Sequence, residues 1–261
     1  MGKRPKIGLA LGSGAARGLA HIGVLKALEE LEIEIHMVSG TSAGALIGGL
    51  YCTGISPDML EKLAIGIDKK MWVDFTLPKK GIIKGERIQE ILNVITGNRR
   101  IEDLDKELYI VATDLVKGEK VVFSKGSLSQ AIRASISIPG IFEPLEYEGK
   151  VLVDGAVVDR VPISILKSMG ADIIIGVDVG FSGNQNRYVN MLEIILQSID
   201  IMAKQITEMD LKLADLIITP DLAHVNPSKF ELVEECSQIG YKATMEKKER
   251  ILELIGNGAK G

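Results

Sequence analysis

VSGTSAGAL, residues 38–46, is the stretch on which the fold turns. Its front end closes a short apolar run, IHMVSG, and its back end leads into TSAGALIGGLYCTG, a helix of small and apolar residues able to lie close on a sheet. Gly40-Thr41-Ser42-Ala43-Gly44 therefore falls at a strand-to-helix junction, the context in which G-x-S-x-G exposes a serine on a tight turn. The same order occurs just upstream. KIGLALG is apolar and ends in glycine, and SGAARGLAHIGVLKALEELEI repeats Leu19, Ile22, Leu25, Leu28 and Leu31 at helical spacing. Two successive strand–turn–helix units predict neighbouring strands whose turns meet at one carboxyl edge.

Outward from these units the alternation continues. Ser56-Pro57 opens a helix as N-cap and first-turn proline, and residues 56–100 form a less regular insertion over the sheet. ELYIVATDL and KVVFS are strands around a KGE turn, LSQAIRASISI is a helix ending at Pro139-Gly140, and YEGKVLVDGA is a hairpin around Glu148-Gly149. ADIIIGVDVG and ADLIITPDL are buried strands separated by a long amphipathic stretch, about residues 189–213, and FELVEECSQIGYKATMEKKERILELI is one further helical stretch. Strands alternating with helices predict an α/β fold of three layers, a mostly parallel sheet flanked by helices. A single domain is expected over 1–261, with its core at about 5–220 and a C-terminal helical extension at about 227–256; GNGAKG at the end is expected to be disordered.

Composition removes several classes of function. The chain has 35 acidic and 31 basic residues, a net charge of −4, so nucleic acid is not an expected partner. Cys52 and Cys236 match no metal or redox spacing and are expected as reduced, buried thiols, which fits a cytoplasmic setting. Lys3, Arg4 and Lys6 precede an apolar run as in a signal peptide, but the run from Ile7 to Leu11 is too short for one. Gly2 lacks the Ser or Thr at position 6 that myristoylation favours. No apolar stretch has the length of a membrane span, so lipid contact is expected to be peripheral.

Gly12 to Gly18, GSGAARG, follows a strand and opens a helix, which gathers backbone N–H groups into an anion site. A dinucleotide-binding loop needs glycine at the sixth position and an acidic residue after the second strand. This chain has Arg17 and Ser39-Gly40 there. The alternative is an oxyanion hole for Ser42, made by N–H groups near Gly14 and Ala15.

A serine nucleophile needs a base, and the three histidines are poorly placed. His224 is in the order of a hydrolase triad, but Ser42 lies too early in the chain for that fold. His21 falls one turn into the first helix, and His36 begins the second strand at the end opposite Ser42. Asp154 comes at a strand's end before Gly155, where a carboxylate can point into a cleft; Asp-Gly also serves simply to turn the chain. A carboxylate takes a serine proton only when burial raises its basicity and strong donors hold the oxyanion.

GSGAARG, GTSAG and DGA in that order, with RGLAHIGVLKALEE, ASISIPGIFEPL and DIIIGVDVG around them, resemble the bacterial members of the patatin-like phospholipase family over roughly residues 5–220. The resemblance implies Ser42 as nucleophile, Asp154 as its base partner, a nucleophile elbow flanked by Gly40 and Gly44, and a glycine loop framed by Gly12, Gly14, Arg17 and Gly18. It implies no cofactor, no metal and no catalytic histidine. Asp159-Arg160 departs from the asparagine-like position expected before Pro162, and the last 40 residues carry no specific likeness.

The implied activity is hydrolysis of an acyl-lipid or other ester through an acyl-enzyme, as in a phospholipase, lysophospholipase or carboxylesterase. A regulator or adaptor that keeps the fold without turnover is the alternative; a nucleotide-dependent oxidoreductase ranks behind both. KKMWVDFTLPKK sets Met71, Trp72, Phe75 and Leu77 among lysines, suited to peripheral contact with an anionic membrane and equally to a packed flap. Met191, Met202 and Met209 suit an adaptable acyl groove and equally the core.

Overall fold

The computed structural model describes residues 5–66, 74, 81–180 and 191–258. Its strands are β1 Ile7–Leu11, β2 Met37–Thr41, β3 Glu107–Asp114, β4 Glu119–Phe123, β5 Leu145–Tyr147, β6 Lys150–Asp154, β7 Ile173–Val177 and β8 Leu216–Ile218. They form one sheet in the order β5-β6-β3-β2-β1-β7-β8, with β4 on the other edge of β3. β1, β2, β3, β7 and β8 are mutually parallel, and β4, β5 and β6 are added antiparallel.

Helices α1 Ala20–Glu30, α2 Ala43–Cys52, α3 Pro57–Gly66, α4 Glu86–Ile95, α5 Leu128–Ser135, α6 Ile163–Ser168, α7 Met191–Leu211, α8 Val233–Met245 and α9 Lys248–Gly258 complete the described elements. Strand side chains alternate between two buried faces, as the pleat requires. Leu9, Leu11, Val38, Ile110 and Ile175 face one core with residues of α1, α2, α5 and α8. Ala10, Met37, Tyr109, Val111 and Ile174 face the other, beneath Ile163, Ile165 and Leu166 of α6. The three layers and the largely parallel sheet match the sequence-based expectation.

Several local expectations are refined. The glycine loop enters a 3-10 turn, Ala15–Leu19, before α1 begins. The hairpin at Glu148-Gly149 has both residues at positive φ, 48° and 76°, as a two-residue turn matched to strand twist demands. The C-terminal helical stretch is two helices, α8 and α9, parted at Glu246-Lys247. Asp74 accepts bonds from the amides of Gly85, Glu86 and Arg87, capping α4 from across the chain. Met71, Trp72, Phe75 and Leu77 lie outside the described residues. Among the described residues no helix is long and apolar enough to cross a membrane.

One feature of the register fixes the site. Thr41 of β2 pairs with Val111, and Asp154 of β6 pairs with Ala112, the next residue of β3. Since β4 occupies the opposite edge at Val111 and Ala112, β2 and β6 share one edge of β3 and run toward each other. Their ends meet where Ser42 and Asp154 stand.

Candidate active site

Ser42 has φ 54° and ψ −116°, a conformation few non-glycine residues adopt, and α2 begins at the next residue. This sharp turn lifts the side chain out of the strand line. It requires bare backbone beside it: a Cβ on Gly44 would lie 2.0 Å from the Leu11 carbonyl oxygen. Gly40, next to last in β2, lies against the same first turn of α2, and Gly18 packs against Ala43. The Ser42 amide donates to Ser135 Oγ at 2.8 Å, and Ser135 in turn donates to the Val111 carbonyl at 2.6 Å.

The Ser42 hydroxyl donates to Asp154 Oδ2 at 2.5 Å. Asp154 Oδ1 accepts from the Ala156 amide at 2.9 Å, which caps the short 3-10 turn after β6 and fixes the carboxyl plane. Its own amide donates to the Ser137 carbonyl, and its carbonyl accepts from Thr113 Oγ1. Burial pushes the Asp154 carboxyl up to about 7, against the opposing bonds from Ser42 and Ala156. A carboxylate so raised has the basicity that an ordinary aspartate lacks.

The glycine loop crosses the end of β1 beside this pair. Gly12 and Ser13 amides are tied to the carbonyls of Val177 and Arg160, and the Ala16 amide to that of Pro227. Among the described residues this leaves the amides of Gly14 and Ala15 as the loop's unpaired donors; Ala15, at φ 49°, lines the pocket with Ser13, Ser42 and Asp154. Arg17 frames the loop from behind: its guanidinium is buried, donating to the Val225 carbonyl at 3.0 Å and pairing with Asp200 at 3.3 Å.

The histidines do other work. Buried His21 bonds the Gly12 carbonyl at 2.8 Å, and burial holds its imidazole down at about 4, so it is neutral. As the neutral donor its Nε2 carries the proton. His36 accepts from the Ile7 amide, and exposed His224 pairs with Glu235.

Sequence reasoning missed several supports. Ser135 and Ser137 lie inside ASISIPGIFEPL, where nothing local distinguishes a supporting hydroxyl from a helix-end polar residue. Arg133 binds the carbonyls of Lys84, Gly85 and Glu143 and the Ser137 hydroxyl. The 159–162 segment, whose departure left its shape open, offers backbone carbonyls to Thr41 Oγ1 from Asp159, to the Ser13 amide from Arg160 and to Ser39 Oγ from Pro162. Its side chains serve as anchors, Asp159 with Lys120 and Arg160 with Asp178. Asp200 of α7 lines the pocket with Ile199, and burial raises its carboxyl.

A family model described as patatin-like phospholipase matches residues 9–167. An uncharacterised NTE family protein of Mycobacterium tuberculosis is 39% identical over 181 residues, covering 68% of this chain and 50% of that protein. A lysophospholipase of Neurospora crassa is 39% identical over 180 residues, 67% of this chain and 12% of that one. The chain thus aligns with half or less of the length of these relatives. Among solved structures, VipD from Legionella pneumophila superposes with a TM-score of 0.69 at 17% identity, over 95% of this chain and 67% of that one. ExoU, in its complex with SpcU from the type III secretion system of Pseudomonas aeruginosa, gives 0.51 at 16% identity over 98% and 53%. Motif order, sheet and matched segment lead to one assignment: the chain belongs to the patatin-like phospholipase family.

Proposed function

We propose that the protein is a serine lipid acyl hydrolase, of the phospholipase or lysophospholipase type, working through a Ser42–Asp154 dyad. The observation that carries this is the 2.5 Å bond from the Ser42 hydroxyl to a buried carboxyl raised to about 7. Ser42 Oγ attacks the ester carbonyl carbon while Asp154 Oδ2 takes its proton. Negative charge gathers on the former carbonyl oxygen, and the amides of Gly14 and Ala15 are the donors available to hold it.

The intermediate collapses by breaking the bond to the alcohol oxygen, which leaves with the proton from Asp154. A water then gives a proton to Asp154 and attacks the acyl-enzyme. The second intermediate releases the fatty acid as Ser42 recovers its proton. Lipid as the substrate class is supported by the family and by the lysophospholipase among the relatives. The test is an ester and lysophospholipid assay on folded Ser42→Ala and Asp154→Asn proteins, with fluorophosphonate labelling of the parent. Loss of turnover in both, with the label on Ser42, is expected; near-parent turnover in either variant overturns the dyad.

A further inference from the structure

Helix α7, Met191–Leu211, buries its polar side. At about 100° per residue, Glu193, Gln197, Asp200, Ala203 and Thr207 fall on one side and are buried, whereas Met191, Ile194, Met202, Ile206 and Met209 form an exposed stripe on the other. Neither groove nor core holds Met191, Met202 and Met209, contrary to both readings of the sequence. The buried carboxyls are tied down separately: Glu193 accepts from Asn226 at 2.9 Å, and Asp200 pairs with Arg17 at 3.3 Å.

The two carboxyls differ in where they stand. Asp200 lines the pocket with Ser42 and Asp154, and Glu193 does not. Among the described residues lining that pocket, Asp154 and Asp200 are the charged ones, and both are buried. The groups that act on Asp200 come from three other elements: Arg160 from the segment before α6, Arg17 from the 3-10 turn after β1, and Asp178 just beyond β7. Burial and Asp178 raise its carboxyl, and the two guanidiniums draw it back toward the charged form that the Arg17 pair requires. A buried ion pair adds little net stability over an apolar side chain of similar size, so a leucine at this position would close the pocket wall as well. What only the carboxylate supplies is charge, and it supplies it next to a second carboxyl. Away from water a like charge disfavours ionisation of its neighbour. Asp200 thus adds to the burial that raises Asp154.

We propose that Asp200 is a positioning residue of this site: from α7 it fixes a negative charge beside Asp154, where that charge favours transfer of the Ser42 proton, and Arg17 holds it in place. The transfer relieves the repulsion between the two carboxylates, because Asp154 becomes neutral as it takes the proton. This catalytic consequence rests on the acyl hydrolase function proposed above, whereas the relation between the two carboxyls does not. The full chain is titrated by carboxyl-carbon NMR, with the Asp154 signal identified by its loss in Asp154→Asn. Asp200→Asn keeps an oxygen for Arg17 and removes the charge, and is expected to lower the pH at which Asp154 titrates by about half a pH unit or more. The acid limb of kcat/KM for a short-chain ester is expected to move down with it, with kcat on the plateau reduced about threefold and KM within about twofold of the parent. Glu193→Gln, which weakens the other tie of α7, is expected to leave the NMR titration and the acid limb where they are. If Asp200→Asn does not fold, Arg17→Gln with Asp200→Asn, which also removes the paired guanidinium, is titrated in its place with the same lowering expected. An Asp154 titration left unmoved or raised by the loss of Asp200's charge overturns the proposal, as does an equal shift in Glu193→Gln. A lowered Asp154 titration in a chain that hydrolyses no ester upholds the effect of Asp200 on Asp154 and overturns the hydrolase function alone.

Discussion

Strands β1, β2, β7 and β8 run parallel to β3, and β1 and β2 each hand the chain to a helical segment through a tight turn, whereas β4 and β6 pair antiparallel with β3, β5 pairs antiparallel with β6, and the chain reverses through hairpins. The first region supplies Ser42, the proposed nucleophile, and the glycine loop; the second supplies the Asp154 carboxyl and, at and just beyond the end of α5, the Ser135 hydroxyl and the Ser137 carbonyl. The conformation of Ser42 is set within a few residues by Gly40, Gly44 and the start of α2. The position of Asp154 is set by its pairing with a strand about 40 residues earlier. The turn that presents Ser42 is made by local backbone, while the carboxyl it bonds is delivered by long-range register.

The strongest way to break the comparison is to remove one member from each region. Ser42→Ala and Asp154→Asn are each expected to lower kcat by about 10⁴ or more, and the double variant to be no worse than the worse single. Additive losses in steady-state kinetics would mean that the two residues act separately. Next comes the loop. A side chain on Gly14 would meet Val179 Cγ2 at 2.7 Å, so Gly14→Val shifts the amide donors and is expected to cost about 10²–10³ in kcat with the fold intact by circular dichroism.

Smaller effects sharpen the contrast. With Asp154 acting as base from a folded value of about 7, kcat/KM is expected to fall about tenfold per pH unit below 7 and to level off above it. The same elevation has a cost for stability. The folded state holds the Asp154 proton up to about 7 and the unfolded chain loses it near the ordinary aspartate value, so ionisation destabilises the fold as pH rises through that window. Asp154→Asn is therefore expected to melt a few degrees (about 3–6 °C) above the parent at pH 8, with the gap narrowing toward pH 4. Ser135→Ala leaves the Ser42 amide without its partner and is expected to lower kcat about tenfold, more than it changes KM.

Much of this protein was legible in the chain itself. Parallel strands buried on both faces read as apolar runs, and G-x-S-x-G and GSGAARG are contiguous because each motif shapes one turn. Asp154 stood out by its place at a strand's end. The supports were not legible. Ser135, Ser137, Arg133 and the 159–162 carbonyls act through bonds to residues distant in sequence, and a serine or a backbone carbonyl carries no local mark of such a partner.

Helix α7 divides most sharply between the two sources. Its periodicity predicted an amphipathic helix at about the right bounds, and periodicity alone says that an apolar side exists. Which side faces the protein depends on what waits beneath it. Here Arg17 and Asn226 take Asp200 and Glu193 inward and leave the methionines outside. The sequence determined the elements and the chemistry available to each, because those depend on neighbours along the chain. Only the tertiary structure decided the meeting of Ser42 with Asp154, the raised carboxyl and the outward stripe, because burial and pairing belong to residues that the fold brings together.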